Sequence, residues 1–233
     1  MSAHADPHVP AMHVLIPAGG NGSRAGTGHP KQYERMAGRL LVEHTLEAFA
    51  ALPRIARILV VVAPDDSHMP GSDRWQVARC GGATRAESVA NGLAELLRTG
   101  ANDDDWVLVH DAARCLIRPD LVQRLIDACE QDSVGGLLAV QLADTLKQEE
   151  GGRATATLPR QGKWLAQTPQ MFRLGVLRRA LVQAGAQVTD EASAIESLGL
   201  RPLLVHGSSV NIKVTWPEDF ALAEAILRSR TTT

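Results

Sequence analysis

Residues 12–33 read MHVLIPAGGNGSRAGTGHPKQY. The mostly apolar run Met12–Ile16 has the composition of a strand buried on both faces. It leads directly into a segment with five glycines and one arginine that closes on Pro30-Lys31-Gln32. Glycine reaches positive φ at little cost and lets backbone N–H groups crowd an anion. Arg24 adds a planar fork for phosphate oxygens, and Lys31 adds a mobile point charge. A strand that ends in such a loop puts a polyphosphate site where open α/β sheets bind ligands, outside the carboxyl ends of their strands.

Two common glycine loops fail on detail. Gly20-Asn21-Gly22-Ser23-Arg24-Ala25 satisfies G-x-G-x-x-A, yet that fingerprint needs a helix starting inside the loop, and Gly26, Gly28 and Pro30 would break one. It also needs an acidic residue closing the second strand about 20 residues on, and here that strand ends far later, at Ala63. An NAD-binding reductase is thereby excluded. A Walker A loop needs Gly-Lys-Ser/Thr, whereas Lys31 follows Pro30.

Further strands are expected at 56–63, 75–80, 106–110, 135–141 and 202–206, with helices near 42–52, 85–98, 119–131, 173–184 and 190–198 and after Pro217. In 119–131 the residues Leu121, Val122, Leu125, Ile126 and Cys129 share one face behind Pro119. Strands alternating with helices predict a right-handed α/β fold: a Rossmann-like, mostly parallel sheet with helices on both faces. The pattern breaks at 142–166, where polar, Thr-containing stretches flank Glu149-Glu150-Gly151-Gly152 and predict a protruding β-hairpin arm. The arm has too few apolar residues for a core hairpin, which leaves packing on another subunit or a solvated loop. Residues 1–233 are expected to form one domain with this arm.

Hydrophobic residues make up 45% and aromatics 3% of 233 residues, so the core must be Val, Leu, Ile and Ala. A net charge of −2 argues against non-specific nucleic-acid binding, and any anion site must gather its cations locally. Cys80, Cys115 and Cys129 form no C-x-x-C pair, which suits a reducing cytoplasm. The N-terminal stretch lacks a secretory pattern, and no apolar run approaches membrane-spanning length. His4, His8 and His13 are read as tail residues rather than as a metal site.

The glycine loop resembles the signature of the sugar-phosphate nucleotidyltransferases, and in detail the chain is similar to the 2-C-methyl-D-erythritol 4-phosphate cytidylyltransferase family. Four further stretches match in order: GGATRAESV (81–89), VHDAAR (109–114), TDEAS (189–193) and NIKVT (211–215). The resemblance implies transfer of CMP from CTP to a sugar-alcohol phosphate, with Mg²⁺ as cofactor. It implies that Arg24 and Lys31 clamp the triphosphate and that Lys213, ending a short strand, sits against the α-phosphate as the third catalytic cation. Ala18, Gly19, Gly20, Gly22, Gly82 and Ser88 would bind CTP, and Arg85 would only support the loop. Asp111 and Arg114 would face the substrate, with Asp111 as the protein ligand of a Mg²⁺ held mainly by the phosphates. Thr168 is a further substrate contact. Thr145 and Arg160 would reach from the arm into the partner's site in a homodimer.

Departures from the family pattern are Cys115, where a proline usually follows the arginine, and Ala83, where an acid is frequent. Cys115 is expected to be a packed thiol rather than a nucleophile. Thr189 or Asp190 would cap a helix. Ribitol-5-phosphate cytidylyltransferase shares the loop and the arm and is the nearest alternative; a non-catalytic nucleotide-binding homologue is the other.

Overall fold

The computed structural model describes residues 9–20, 30–185 and 188–231. The chain runs β1 (Met12–Pro17), β2 (Arg35–Met36), β3 (Arg39–Leu40), α1 (Leu41–Ala50), β4 (Arg57–Val61), β5 (Gln76–Ala78), α2 (Arg85–Arg98) and β6 (Trp106–Val109). It continues as α3 (Pro119–Cys129), β7 (Gly135–Gln141), β8 (Leu146–Glu150), β9 (Arg153–Leu158), β10 (Trp164–Arg173), α4 (Leu174–Ala184), α5 (Glu191–Ser197), β11 (Leu203–His206) and α6 (Pro217–Thr231).

Seven strands form one sheet in the order β11-β7-β10-β6-β1-β4-β5. β1 pairs in parallel with both β4 and β6. From β1 the chain therefore moves out to β4 and β5, then returns to the other side of β1 at β6. The loops after β1 and β6 diverge at that reversal and leave a crevice between them.

Strand alternation explains why this sheet is covered on both sides. Val14 and Ile16 of β1 join Val42, Leu46 and Phe49 of α1 and Leu121, Leu125 and Ile126 of α3 in one core. Leu15, pointing the other way, packs with Val89, Leu93 and Leu96 of α2 and with Leu177 and Ile195 of α4 and α5. A third, smaller cluster joins Met36, Leu41, Cys115, Leu116, Val214 and Ala223, fixing α6 and the β2–β3 hairpin against the loop after β6. Burial pushes the Cys115 thiol up to about 12, consistent with a packed thiol.

β8 and β9 pair antiparallel and form the expected arm. Its tip is Gly151-Gly152, both at positive φ (58° and 78°), as a two-residue hairpin turn with matching twist requires. None of residues 146–158 is buried.

Three features differ from the sequence expectations. β10, a central strand antiparallel to both β6 and β7, was hidden by Gln167, Thr168 and Pro169, where its pairing with β7 shifts register. Residues 211–215 form no strand, so Lys213 lies in an irregular segment rather than at a strand end. His13 is not a tail residue: it is buried in β1 with Nε2 3.1 Å from Asp105 Oδ2. His4 and His8 lie outside the described residues. Among the described residues no helix is long and apolar enough to cross a membrane.

Gly135 starts β7 at φ +103°, and a Cβ there would overlap the Met171 carbonyl oxygen of β10. Gly135→Ala is expected to cost at least about 2 kcal/mol through backbone strain and overpacking, read as a lower urea midpoint with unchanged slope.

Candidate active site

The crevice holds two adjoining cavities. The larger, about 320 Å³, lies between Ala18–Gly20 after β1, Lys31 and Gln32 of a short 3₁₀ turn, Gly82–Arg85 at the entry of α2, and Asp111 after β6. The smaller, about 240 Å³, is bordered by Arg114, Thr168, Gln170 and Thr189. Arg85, Asp111 and Lys213 line both and form the wall between them.

The floor of the larger cavity comes from close backbone approach. The Ala18 N–H donates to Val61 O (2.7 Å) and the Gly81 N–H to Val62 O (2.8 Å). A Cβ on Gly81 would stand 2.7 Å from that same Val62 oxygen, so the turn before α2 needs glycine. α2 opens with a capping box: Thr84 Oγ1 accepts the Glu87 N–H (3.1 Å), and Glu87 Oε2 accepts the Ala83 and Thr84 N–H groups (2.7 and 3.3 Å). Ser88 accepts the Gly82 N–H (3.0 Å) and donates to Thr84 O (3.0 Å). Its hydroxyl proton is committed within the turn, which leaves its oxygen as an acceptor.

The wall is a charge cluster. Asp111 Oδ1 accepts from Arg85 Nε (2.9 Å), Oδ2 lies 2.9 Å from Lys213 Nζ, and Arg114 Nε stands 3.8 Å away. Burial alone would raise the Asp111 carboxyl, but Arg85, Lys213 and Arg114 outweigh it and hold it well below the usual carboxylate range. Arg85 also forks onto Glu191, with Nη1–Oε1 2.6 Å and Nη2–Oε2 3.0 Å. The Glu191 side chain is fully buried. Arg85 is thus a structural centre of the site rather than a mere support for the loop.

The loop after β6 is braced from beneath. The Asp111 N–H donates to Thr168 Oγ1 (3.0 Å), so the Thr168 hydroxyl proton is free to go to His110 Nδ1 (3.0 Å). That assignment places the imidazole proton on Nε2, facing Arg114 O at 3.3 Å. Burial pushes His110 down to about 3, so the ring is neutral. Arg114 Nη1 donates to Asn211 O (2.7 Å), the Val214 N–H donates to Ala113 O (2.9 Å), and Lys31 Nζ donates to Val214 O (2.7 Å). The segment carrying Lys213 is therefore tied both to the loop after β6 and to Lys31.

Of the residues singled out from sequence, Ala18, Gly19, Gly20, Lys31, Gly82, Ser88, Asp111 and Lys213 meet at the larger cavity. Arg114 and Thr168 join Asp111 and Lys213 at the smaller. Gly22 and Arg24 lie outside the described residues. Thr145 and Arg160 line neither cavity of their own chain: both are exposed near the root of the arm, where Arg160 bonds Ala143 O. Asp190, not Thr189, caps α5, accepting the Ser193 N–H at 2.9 Å. Sequence reasoning missed Gln32, His110 and Glu191. All three stand inside quoted motifs, Glu191 in TDEAS, but nothing in the local sequence shows that each side chain is buried. No cluster of three or more metal-ligating side chains occurs among the described residues.

Removing Arg85 would leave Glu191 buried without its cation. Arg85→Ala is expected to cost about 2–4 kcal/mol in urea unfolding, discounted for the partial exposure of the arginine, and adding Glu191→Leu should recover part of the loss.

Comparison with known proteins identifies the family. Residues 12–229 match the family described as IspD, 2-C-methyl-D-erythritol 4-phosphate cytidylyltransferase. The chain is 62% identical over 226 residues to a bifunctional IspD/IspF enzyme of Albidiferax ferrireducens, covering 95% of this chain and 54% of that one. It is 57% identical over 221 residues to a 2-C-methyl-D-erythritol 4-phosphate cytidylyltransferase of Laribacter hongkongensis, covering 92% and 95%. It thus spans about half the length of the first and nearly all of the second. A crystal structure of a 4-diphosphocytidyl-2C-methyl-D-erythritol synthase superposes with a TM-score of 0.84 at 42% identity, over 94% of this chain and 100% of that one. With its fold and nearly its whole length matched, the chain belongs to the 2-C-methyl-D-erythritol 4-phosphate cytidylyltransferase (IspD) family.

Proposed function

We infer that the two cavities bring CTP and 2-C-methyl-D-erythritol 4-phosphate together and transfer CMP between them, giving 4-CDP-2-C-methyl-D-erythritol and pyrophosphate. The observation that carries this is the shared wall. Lys213 and Arg85 border both cavities, so phosphates arriving from either side meet over the same cations.

The chemistry needs little more. A phosphate monoester has its second pKa near 6 and arrives mostly as a dianion at neutral pH. One of its oxygens attacks the α-phosphorus of CTP. The new P–O bond forms as the bond from that phosphorus to the bridging oxygen breaks, and the electron pair leaves on pyrophosphate. No proton has to be removed, and none of the described residues lining the two cavities is a histidine or cysteine. The obstacle is repulsion between anions, which fixed cations relieve. Lys31 and Lys213 do so from opposite ends of the Val214 tie, with Arg24 as a third cation.

Asp111 is the one acid among the described residues lining the larger cavity. Its oxygens already accept from Arg85 and Lys213, so it has only its remaining lone pairs to offer. That donor set fits a Mg²⁺ whose ligands are mainly triphosphate oxygens and water, with Asp111 as its protein contact. When bound, the ion would neutralise charge across the phosphates.

The arm completes the picture as a homodimer element. It is largely exposed, and its Thr145 and Arg160 line neither cavity of their own chain, as residues meant for a partner's smaller cavity would. Three free cysteines favour a cytoplasmic setting.

Three measurements test this. With Mg²⁺ and CTP, pyrophosphate should be released in the presence of methylerythritol phosphate and not ribitol phosphate; the reverse would transfer the assignment to the ribitol enzyme, and silence with both would leave a binding protein. Lys31→Ala should lower kcat about 10²–10³-fold with a much smaller change in CTP affinity, as for loss of a charge-stabilising contact made in the transition state. Mixing inactive Thr145→Ala and Lys213→Ala chains should restore roughly a quarter of the wild-type sites by subunit exchange, whereas no recovery would mean each chain completes its own site.

A further inference from the structure

Gln32 is buried at the edge of the larger cavity, next to Lys31, although it carries neither a charge nor a reactive group of its own. Its amide nitrogen donates 2.7 Å to Ala18 O and 3.1 Å to Gly20 O. An amide NH₂ has two hydrogens, and this one spends both on the two carbonyls that flank Gly19. We propose that Gln32 is a positioning residue for the triphosphate: it turns those two carbonyl oxygens onto its own amide and sets the register of Lys31 against the cleft.

The electrostatics favour such a device. A backbone that wraps a polyphosphate must present N–H groups, because every carbonyl oxygen turned toward the anion brings partial negative charge against negative charge. Glycines make the required turns possible without selecting among them. A double donor behind the chain selects, since it rewards the conformers in which residues 18 and 20 face it. The same side chain is one residue from Lys31, whose Nζ reaches Val214 O at 2.7 Å. On the other flank the Tyr33 hydroxyl donates to Asp66 Oδ2 at 2.6 Å. The 3₁₀ turn is therefore pinned on three successive side chains, and the middle pin faces the nucleotide end of the site. Gln32 does not line the smaller cavity, so its effect belongs to CTP and not to the polyol phosphate.

This assignment rests on CTP being the ligand of the larger cavity, and the test separates the two. CTP–Mg²⁺ binding is measured calorimetrically for the wild type, Gln32→Met and Gln32→Glu, alongside steady-state kinetics for both substrates. Met keeps the volume and removes both donors. Its Kd and KM for CTP should rise about tenfold or more, the equivalent of two lost hydrogen bonds, while KM for the polyol phosphate stays within about twofold. In Gln32→Glu a carboxylate would face two carbonyl oxygens, so CTP binding relative to wild type should be weakest near pH 8 and recover toward pH 6, as the acid takes up a proton and regains one donor. Should Gln32→Met not fold, the pH-dependent ratio in Gln32→Glu decides alone, and a flat ratio overturns the proposal. Wild-type CTP binding by Gln32→Met, or a rise confined to the polyol phosphate, overturns it as well. If the wild type itself binds no CTP, the assignment falls together with the proposed function; if the wild type binds and transfers while Gln32→Met matches it, the assignment falls alone.

Discussion

Two polyanions must be brought within bonding distance, and the cations that permit this have to stay together when no phosphate is there to hold them. Asp111 supplies the answer. Its carboxylate sits 2.9 Å from both Arg85 and Lys213 and 3.8 Å from Arg114, so it acts as an internal counterion around which the positive groups are assembled. Glu191 does the same for the far side of Arg85 from a fully buried position. Arg85 reaches from the first turn of α2, Asp111 follows β6, Lys213 comes from the segment before α6, and Glu191 opens α5. Four separate parts of the chain are thereby committed to one geometry, and the reversal of strand order between β1 and β6 is what lets them converge.

The charge count of this centre is unlike that of the chain. Arg85, Arg114, Lys31 and Lys213 stand against Asp111, Asp190 and Glu191, four cations to three anions, although the whole chain carries a net charge of −2. The excess is local, as an anion site on a mildly acidic protein must be. Partial neutralisation is useful in itself. Four uncompensated cations in a cleft would repel one another, and burying any of them would lower its affinity for a proton or for its own position. The acids fixed among them remove most of that cost and still leave a net positive charge for the phosphates.

Much of this was legible in the sequence, for reasons that can be named. The run Met12–Ile16 and the aliphatic runs at 56–63 and 106–110 are strands buried on both faces, and burial of both faces leaves a continuous apolar signature. Gly151-Gly152 between two Thr-containing stretches specified its own turn. Lys31, Asp111 and Lys213 were found because their motifs are short and local. β10 was not found, since a strand whose middle is Gln167-Thr168-Pro169 has no period to detect: Gln167 and Thr168 border the smaller cavity instead of filling the core. Glu191 was invisible for a different reason. An acid at the first turn of a helix is ordinary on any surface, and only the tertiary fold turns it inward onto Arg85.

Gln32 and His110 belong to a third class, polar residues within recognisable motifs that bond backbone carbonyls, His110 adding the Thr168 hydroxyl. Sequence patterns advertise charge and hydrophobicity, but a side chain that spends its hydrogen bonds on carbonyls leaves no complementary residue to look for. Both act by the same physics. A flexible glycine-rich or small-residue turn gains conformers at no steric cost, so something must choose among them, and a buried group with a fixed number of donors and acceptors chooses sharply because each unmatched one is expensive. His110 accepts one proton from Thr168 and faces Arg114 O, which fixes the loop of Asp111; Gln32 donates two to Ala18 O and Gly20 O, which fixes the loop beside Lys31. Neutral, buried hydrogen-bonding groups thus help to set where the cations of the cleft stand.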